Sequence, residues 1–296
     1  MEPTSKLNIL FILNSASGGK KKRNWEPVIR DYFKPLSHNI EFYVLTGKDD
    51  PSSIQYWLKK LSPLRVVAVG GDGTISFVAQ QLSGTNIPMG ILRGGSANGM
   101  ATELKIPEDP SLALDVIMAG KTKICDLIKI NDDFCIHLSD LGLNARIVKY
   151  FDKTSFRGMW GYGRVFFKIL WEGKLMQAHI VADNLDITIP AYMVVIANAS
   201  KYGTGAVINP EGQIHDGLFE LVIVRKISFI EMSKMFFSNK PFDPKKVEIF
   251  KTTKASITTK RRIHFQVDGE YKGKVKEVVA EIIPSAVKLL VQEVAQ

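Results

Sequence analysis

No stretch of this 296-residue sequence approaches the run of about 18 apolar residues that spans a bilayer, so an integral membrane protein is excluded and any lipid contact must be peripheral. Cysteine is scarce. Cys125 and Cys135 form no CxxC pair and no histidine stands at ligand spacing, which excludes a zinc site and a disulfide scaffold and fits a reducing cytoplasm. There is no repeat or low-complexity tract, and 45% hydrophobic against 23% charged residues excludes a disordered chain. Acidic residues are outnumbered: 30 Asp and Glu face 39 Lys and Arg, an excess that points to an anionic partner such as nucleotide, nucleic acid or an acidic membrane surface. Nucleic acid is then set aside, because the Lys260-Arg261-Arg262 cluster has only Phe265 nearby instead of interleaved aromatics.

What is present argues for two domains. Over residues 1–128 strand-like and helix-like periods alternate: strands at Lys6–Leu13, Glu41–Leu45, Arg65–Val69 and Ile87–Leu92, helices at Asn24–Phe33, Pro51–Leu61, Thr74–Leu82 and Asp109–Ala119. Such alternation predicts βαβ units and a mostly parallel sheet. The run Lys6–Leu13 faintly imitates a leader, but Asn8 interrupts it and the basic cluster Lys20–Arg23 follows, so it reads as a buried first strand. Residues 129–284 change character, with strand candidates at Phe134–Leu138, Ala178–Ala182, Ile187–Asn198, Leu218–Val224, Lys254–Thr259, Ile263–Val267 and Val275–Ile283, the pattern of an antiparallel β-sandwich. After Pro284 the apolar segment Ala286–Val291 either closes the second domain or returns, with residues 285–296, to the first.

Three glycine-rich loops follow predicted strands. In Gly70-Gly-Asp-Gly-Thr74 the strand gives way to a helix, leaving backbone N–H groups at a helix N-terminus where phosphate binds, and glycine lets the backbone approach it. Asp72 is the odd member. A carboxylate beside a phosphate repels it unless a cation lies between, so Asp72 is expected to act through Mg²⁺. Asn14-Ser-Ala-Ser-Gly-Gly-Lys20 and Gly94-Gly-Ser-Ala-Asn-Gly-Met100 repeat the logic. All three would lie at the carboxyl ends of parallel strands, where open α/β sheets bind ligands. The nucleotide-binding candidates are Asn14, Ser15, Gly18, Lys20, Gly70, Gly71, Gly73, Thr74, Gly95, Ser96 and Asn98.

Val69–Thr74, Asn14–Gly19 and Pro88–Asn98 together resemble the catalytic domain of the soluble lipid kinases, the group of diacylglycerol kinases, sphingosine kinases and bacterial YegS-like lipid kinases. The likeness continues in Cys125-Asp126-Leu127, Gly142–Ala145, Asn198, Tyr202–Gly205, Asn209-Pro210, Asp216-Gly217-Leu218 and Val267–Glu270. It implies a Rossmann-like N-terminal domain, similar to that of NAD kinases and diacylglycerol kinases, joined to a C-terminal β-sandwich, with ATP and Mg²⁺ as cofactors. By resemblance, Asp72 and Asp126 are magnesium-network and nucleotide-site carboxylates and Glu270 is the general base. Asp216, with the backbone carbonyls of Gln213 and Leu218, resembles a structural or regulatory metal site. Ser76 and Phe77 depart from the Thr-x-Asn-Glu common in the family, and Ser96 with Gly99 looks more like its sphingosine-kinase side.

The activity so implied is transfer of the γ-phosphoryl group of ATP to a lipid hydroxyl. A carboxylate such as Glu270 can accept the proton of a poor alcohol nucleophile. The alternatives are an NAD kinase, which shares GGDGT, and a non-catalytic lipid-binding module. The expected partner is a lipid at a membrane surface, reached from the cytoplasm, with a homodimer admitted. Tyr162, Val165, Phe166, Ile169 and Leu170 share one helical face amid Arg157, Arg164 and Lys168 and form the expected peripheral membrane element; packing on the sandwich is the plainer alternative.

Overall fold

The computed structural model describes residues 6–17, 23–153, 174–202, 205–237 and 240–292. The chain divides into two compact units, Met1–Cys125 with Ser285–Gln296, and Asp126–Pro284.

The first unit is a parallel α/β domain. Strands β1 (Asn8–Leu13), β2 (Asn39–Val44), β3 (Arg65–Gly70) and β4 (Met89–Arg93) stand in the order β2-β1-β3-β4, each pair parallel. β1, β3 and β4 are almost wholly buried and read as unbroken aliphatic runs, as strands covered on both faces must. Helices α1 (Trp25–Phe33), α2 (Asp50–Leu61), α3 (Asp72–Leu82), α4 (Gly99–Glu103) and α5 (Pro110–Ala119) connect them. Ile29, Ile54, Ile75, Met100 and Leu114 are among their fully buried contributions to the core. The ends of α5 follow local rules: the Asp109 carboxylate accepts the Leu112 N–H at 3.0 Å, Pro110 takes the first position, and Gly120 at φ +73° ends it. Because β2 and β3 flank β1 on opposite sides, the sheet has its topological switch point there, so the loops after β1 and β3 border a crevice.

The second unit is an antiparallel β-sandwich. β5 (Thr122–Ile130) carries the chain into it, followed by β6 (Asp133–Cys135), β7 (Leu138–Gly142), α6 (Leu143–Lys153), β8 (Met176–Ala182), β9 (Leu185–Ala191), β10 (Met193–Ala197), β11 (Phe219–Val224), α7 (Phe229–Phe237), β12 (Val247–Thr252), β13 (Lys254–Val267) and β14 (Glu270–Leu290). The order is β12-β11-β10-β7-β13-β14, with β8 and β9 added on the first half of β13. β13 therefore turns a corner: Ala255–Thr259 pair with β8, Phe265–Val267 pair with β7, and the irregularity between Thr258 and Ile263 lies between them. Ile180, Leu221, Ile257, Phe265 and Val278 lie in its main core.

Several boundaries differ from the sequence pattern. α3 begins at Asp72 instead of Thr74, which puts the carboxylate in the first helical turn, where the helix dipole favours it. Phe134–Leu138 separates into β6 and β7, and Ile187–Asn198 into a half-exposed β9 and a buried β10. Lys254–Thr259 and Ile263–Val267 are one strand, because the bulge lets the exposed Lys260-Arg261-Arg262 continue it. Val275–Ile283 extends in both directions into β14, which runs through Pro284 and sets Leu289 parallel to Met89 in the first unit. α4, α6, α7, β5 and β12 carry no expectation from the pattern. The helix expected around Tyr162–Trp171 lies outside the described residues.

Candidate active site

The carboxyl ends of β3 and β4 cross at glycine. Gly94 N–H donates to the Gly70 carbonyl at 2.8 Å, and a Cβ on Gly95 would lie 2.4 Å from the Cα of Gly71, one on Gly94 2.9 Å from the Cα of Gly70. No side chain fits there. A second link joins the loop after β1: the Asn14 amide donates to Thr74 Oγ1 at 2.9 Å, and Asn14 N–H to the Val69 carbonyl at 3.0 Å. Asn98, at φ +51°, clamps the third loop with both side-chain atoms, accepting the Gly95 N–H at 2.8 Å and donating to the Gly95 carbonyl at 2.9 Å. Asn tolerates that left-handed backbone.

Asp72 spans this arrangement. One carboxylate oxygen accepts the Gly99 N–H at 2.8 Å and the other the Met100 N–H at 2.9 Å, so it caps the start of α4 from a position 27 residues away. The carboxylate is thereby locked beside the N-terminus of its own helix. Each oxygen keeps a second lone pair.

A pocket of about 620 Å³ lies against the loops after β1 and β4, lined by Asn14, Ser15, Trp25, Arg93, Gly95 and Asn98 among others, a size suited to a nucleotide. Trp25 and Arg93 were not among the sequence candidates; Arg93 was legible as a basic residue ending a parallel strand. Its guanidinium donates to the Ala101 carbonyl at 3.1 Å and pairs with Glu108 at 3.6 Å, while its buried Nε–H has no partner among the described residues. Ser96 is exposed, and Gly73 lies in the first turn of α3. Gly18 and Lys20 fall outside the described residues.

In the second unit Asp126 is buried and tied on three sides: its carboxylate accepts the Gly217 N–H at 2.8 Å, its carbonyl accepts the Asn198 amide at 2.9 Å, and its N–H donates to the Ile214 carbonyl at 2.7 Å. It anchors the turn that carries Gln213, Asp216 and Leu218. Asp216 is exposed and accepts the Leu218 N–H at 3.1 Å. Buried Glu220 receives the Asn209 amide at 2.6 Å, and burial, with Asp216 and Glu211 adding to it, pushes its pKa up.

Asp268 and Gly269, at φ +46° and +81°, form the two-residue turn between β13 and β14, the backbone that an Asp-Gly hairpin favours. Asp268 points inward and accepts the N–H groups of Ile136, His137 and Leu138 at 2.9–3.1 Å. The thiol of Cys135 also donates to it, and burial pushes that thiol's pKa well up, an inert cysteine. Glu270 emerges just beyond, 58% exposed. Lys272 bridges Glu270 at 3.3 Å and Asp133 at 2.9 Å; burial opposes its charge, but the two carboxylates outweigh that and hold its pKa above the ordinary value.

On the same hairpin, His264 has its pKa pushed down to about 4 by burial and then by Lys149, Lys274 and Arg146, while Tyr271 Oη lies 2.7 Å from its Nδ1. A folded pKa below the unfolded 6.5 means that this contribution to stability is complete above pH 6.5 and is lost as pH falls towards about 4. Asp140, fully buried, works in the opposite sense: burial pushes its pKa up to about 6, so protonation below that value favours the fold. His264→Gln is expected to lose less stability than the parent between pH 6.5 and about 4, read as a smaller shift of the urea midpoint; equal shifts would show that His264 does not titrate as described.

The architecture is thus a parallel α/β domain with glycine-rich strand ends beside a pocket of about 620 Å³, followed by an antiparallel sandwich, the class of fold in which ligands bind at the carboxyl ends of the parallel strands. The sequence matches the diacylglycerol kinase catalytic domain over residues 8–130 and the YegS C-terminal NAD kinase beta sandwich-like domain over residues 139–291. The chain belongs to the YegS-like lipid kinase and diacylglycerol kinase family, a family of phosphotransferases. A Klebsiella pneumoniae protein named "Probable lipid kinase YegS-like" is 28% identical over 94% of both chains. The Mycobacterium tuberculosis protein named "Diacylglycerol kinase" is 28% identical over 58% of each, and a Synechocystis protein is 30% identical over 70% of this chain; the alignment spans only half of that relative's length. The fold is that of a Bacillus anthracis diacylglycerol kinase structure, at a TM-score of 0.73 and 16% identity over 98% of both chains. Among the described residues no helix is long and apolar enough to cross a membrane.

Proposed function

We propose that this chain transfers the γ-phosphoryl group of ATP to the hydroxyl of a lipid acceptor, a diacylglycerol or a sphingoid-like alcohol, and does so with Mg²⁺. The observation that carries the reading is the close packing of Gly70-Gly71 against Gly94-Gly95, which leaves no room for a Cβ and brings the loops after β3 and β4 together, beside the pocket of about 620 Å³. The unpartnered Nε–H of Arg93 adds a cationic donor suited to phosphate.

Among the described residues no three His, Cys, Asp or Glu side chains cluster to cage a metal. Magnesium needs no such cage, since it keeps several waters and takes one or two carboxylates together with substrate phosphates. Asp72 fits it on those terms, each carboxylate oxygen keeping a lone pair beyond its bond to Gly99 or Met100; Asp126 is proposed, from the family resemblance alone, as a nucleotide-site acid. When bound, the ion neutralises charge on the transferring phosphates.

The chain's own groups then have separate tasks. Backbone N–H groups at the start of α3 and in the loops after β1 and β4 hold phosphate oxygens, with Asn14, Ser15, Thr74, Ser96 and Asn98 orienting them. Glu270 accepts the proton of the acceptor hydroxyl as its oxygen forms the new bond to the γ-phosphorus; the bond to the β–γ bridging oxygen breaks and ADP leaves. Asp216, with the carbonyls of Gln213 and Leu218, is proposed as a structural or regulatory metal site. Enzyme incubated with γ-labelled ATP and, separately, diacylglycerol, a sphingoid base, phosphatidylglycerol, a long-chain polyprenol or NAD should label one lipid class. Label in NAD alone, or in no acceptor, would overturn the reading.

A further inference from the structure

Helix α7 is built inside out. Its one carboxylate, Glu231, is buried at 4% exposure, while Phe229, Ile230, Phe236 and Phe237 are 69%, 65%, 56% and 87% exposed. Phe229 and Phe236, like Ile230 and Phe237, are two turns apart, so the four fall on one stripe, with exposed Ser233 between them and exposed Lys226 just before the helix. The buried side packs Met235 on a core cluster and ties Glu231 to Lys234 at 2.9 Å, to Lys246 at 3.3 Å and to the Asp243 N–H at 3.2 Å. That ion-paired anchor keeps the apolar stripe facing out. Exposed large apolar side chains grouped on one short helix mark a surface that is covered in use.

The surrounding charge identifies the cover. Between Arg225 and Lys251 seven Lys and Arg accompany three acids. All three acids are already paired, Glu231 as described, Asp243 with Lys246 and Glu248 with Arg225, and although Lys251 pairs outside the segment with Glu220 at 3.8 Å, the balance stays positive. A second copy of this chain would set like charge against like charge across a two-fold contact, which disfavours self-association. An anionic bilayer answers both features: aromatic rings enter the boundary between headgroups and acyl chains, and lysines reach the phosphates. We propose that α7 with its basic surround docks the protein on an anionic membrane surface. From the lipid-kinase reading this takes only that the acceptor resides in a bilayer.

The test is sedimentation of the full chain with vesicles of phosphatidylcholine alone and of phosphatidylcholine mixed with phosphatidylglycerol, without nucleotide, so that it fails or succeeds apart from turnover. The parent should bind the mixed vesicles and be released by salt. The double variant Phe236→Ser/Phe237→Ser should bind about tenfold more weakly or worse, as expected for losing two inserted rings, with its urea midpoint unchanged because both residues are exposed in the free protein. Lys226→Glu/Lys245→Glu should remove the preference for phosphatidylglycerol. Binding that is equal in the parent and the double phenylalanine variant would overturn the proposal. So would failure of the parent to bind the mixed vesicles; a concentration-dependent dimer in sedimentation velocity that the same variant abolishes would then identify a second copy as the occupant.

Discussion

Asp72→Asn is expected to lower phosphoryl transfer by about 10²–10³-fold and to destabilise the fold by about 1–3 kcal/mol. Both effects come from the same two oxygens. In the folded chain they accept the N–H groups of Gly99 and Met100, and an asparagine, whichever way its amide turns, puts an NH₂ against one of those donors. The start of α4 also loses the negative charge that its N-terminus favours. The transfer loss has a different source, the weakened hold on magnesium and phosphate. The two are separated by measuring kcat at saturating ATP over a magnesium titration alongside the urea midpoint. A lower midpoint with kcat and magnesium dependence intact would make Asp72 a strut between the loops and remove it from the chemistry.

For Glu270→Gln the opposite division is expected: kcat falls by roughly 10²–10⁴ while stability and nucleotide affinity stay near the parent values. Glu270 is mostly exposed, and the Lys272 that pairs with it keeps Asp133, so the amide leaves no buried charge alone. The turn that presents the residue is held by Asp268 through three backbone N–H groups and is untouched by the change. Nucleotide affinity measured by equilibrium binding and kcat from initial rates on the acceptor lipid supply the two readouts. A variant that transfers at the parent rate would place the base elsewhere.

The glycine-rich loops were legible because their grammar is local. Two glycines after an aliphatic strand and before a helix can be read from neighbouring residues, and the Asp268-Gly269 turn likewise carries its backbone in its own two residues. Why those glycines are required was not legible. Gly71 and Gly95 stand 24 positions apart, and only the pairing of β3 with β4 brings one Cα to where the other's Cβ would be. The same holds for Asp72, whose partners lie at the start of α4, a helix the pattern did not announce. Strand continuity failed in a like way: a polar run of three cations reads as a turn, yet the β-bulge carries β13 through it, and Pro284 reads as a stop although β14 passes it.

By itself the sequence determined the alternation of a nucleotide-type α/β half with a β-rich half, the three glycine loops and the excess of positive charge, because periodicity, turn chemistry and composition act over a few residues or over the whole chain. Tertiary structure alone decided which atoms those residues meet: both oxygens of Asp72 committed to a distant helix, Asp126 to the turn at Gly217, and four apolar side chains of α7 turned outward around a buried glutamate. Phe229, Ile230, Phe236 and Phe237 have the spacing of a core-facing stripe. Only packing decides which face of a helix is buried in the chain and which stays exposed.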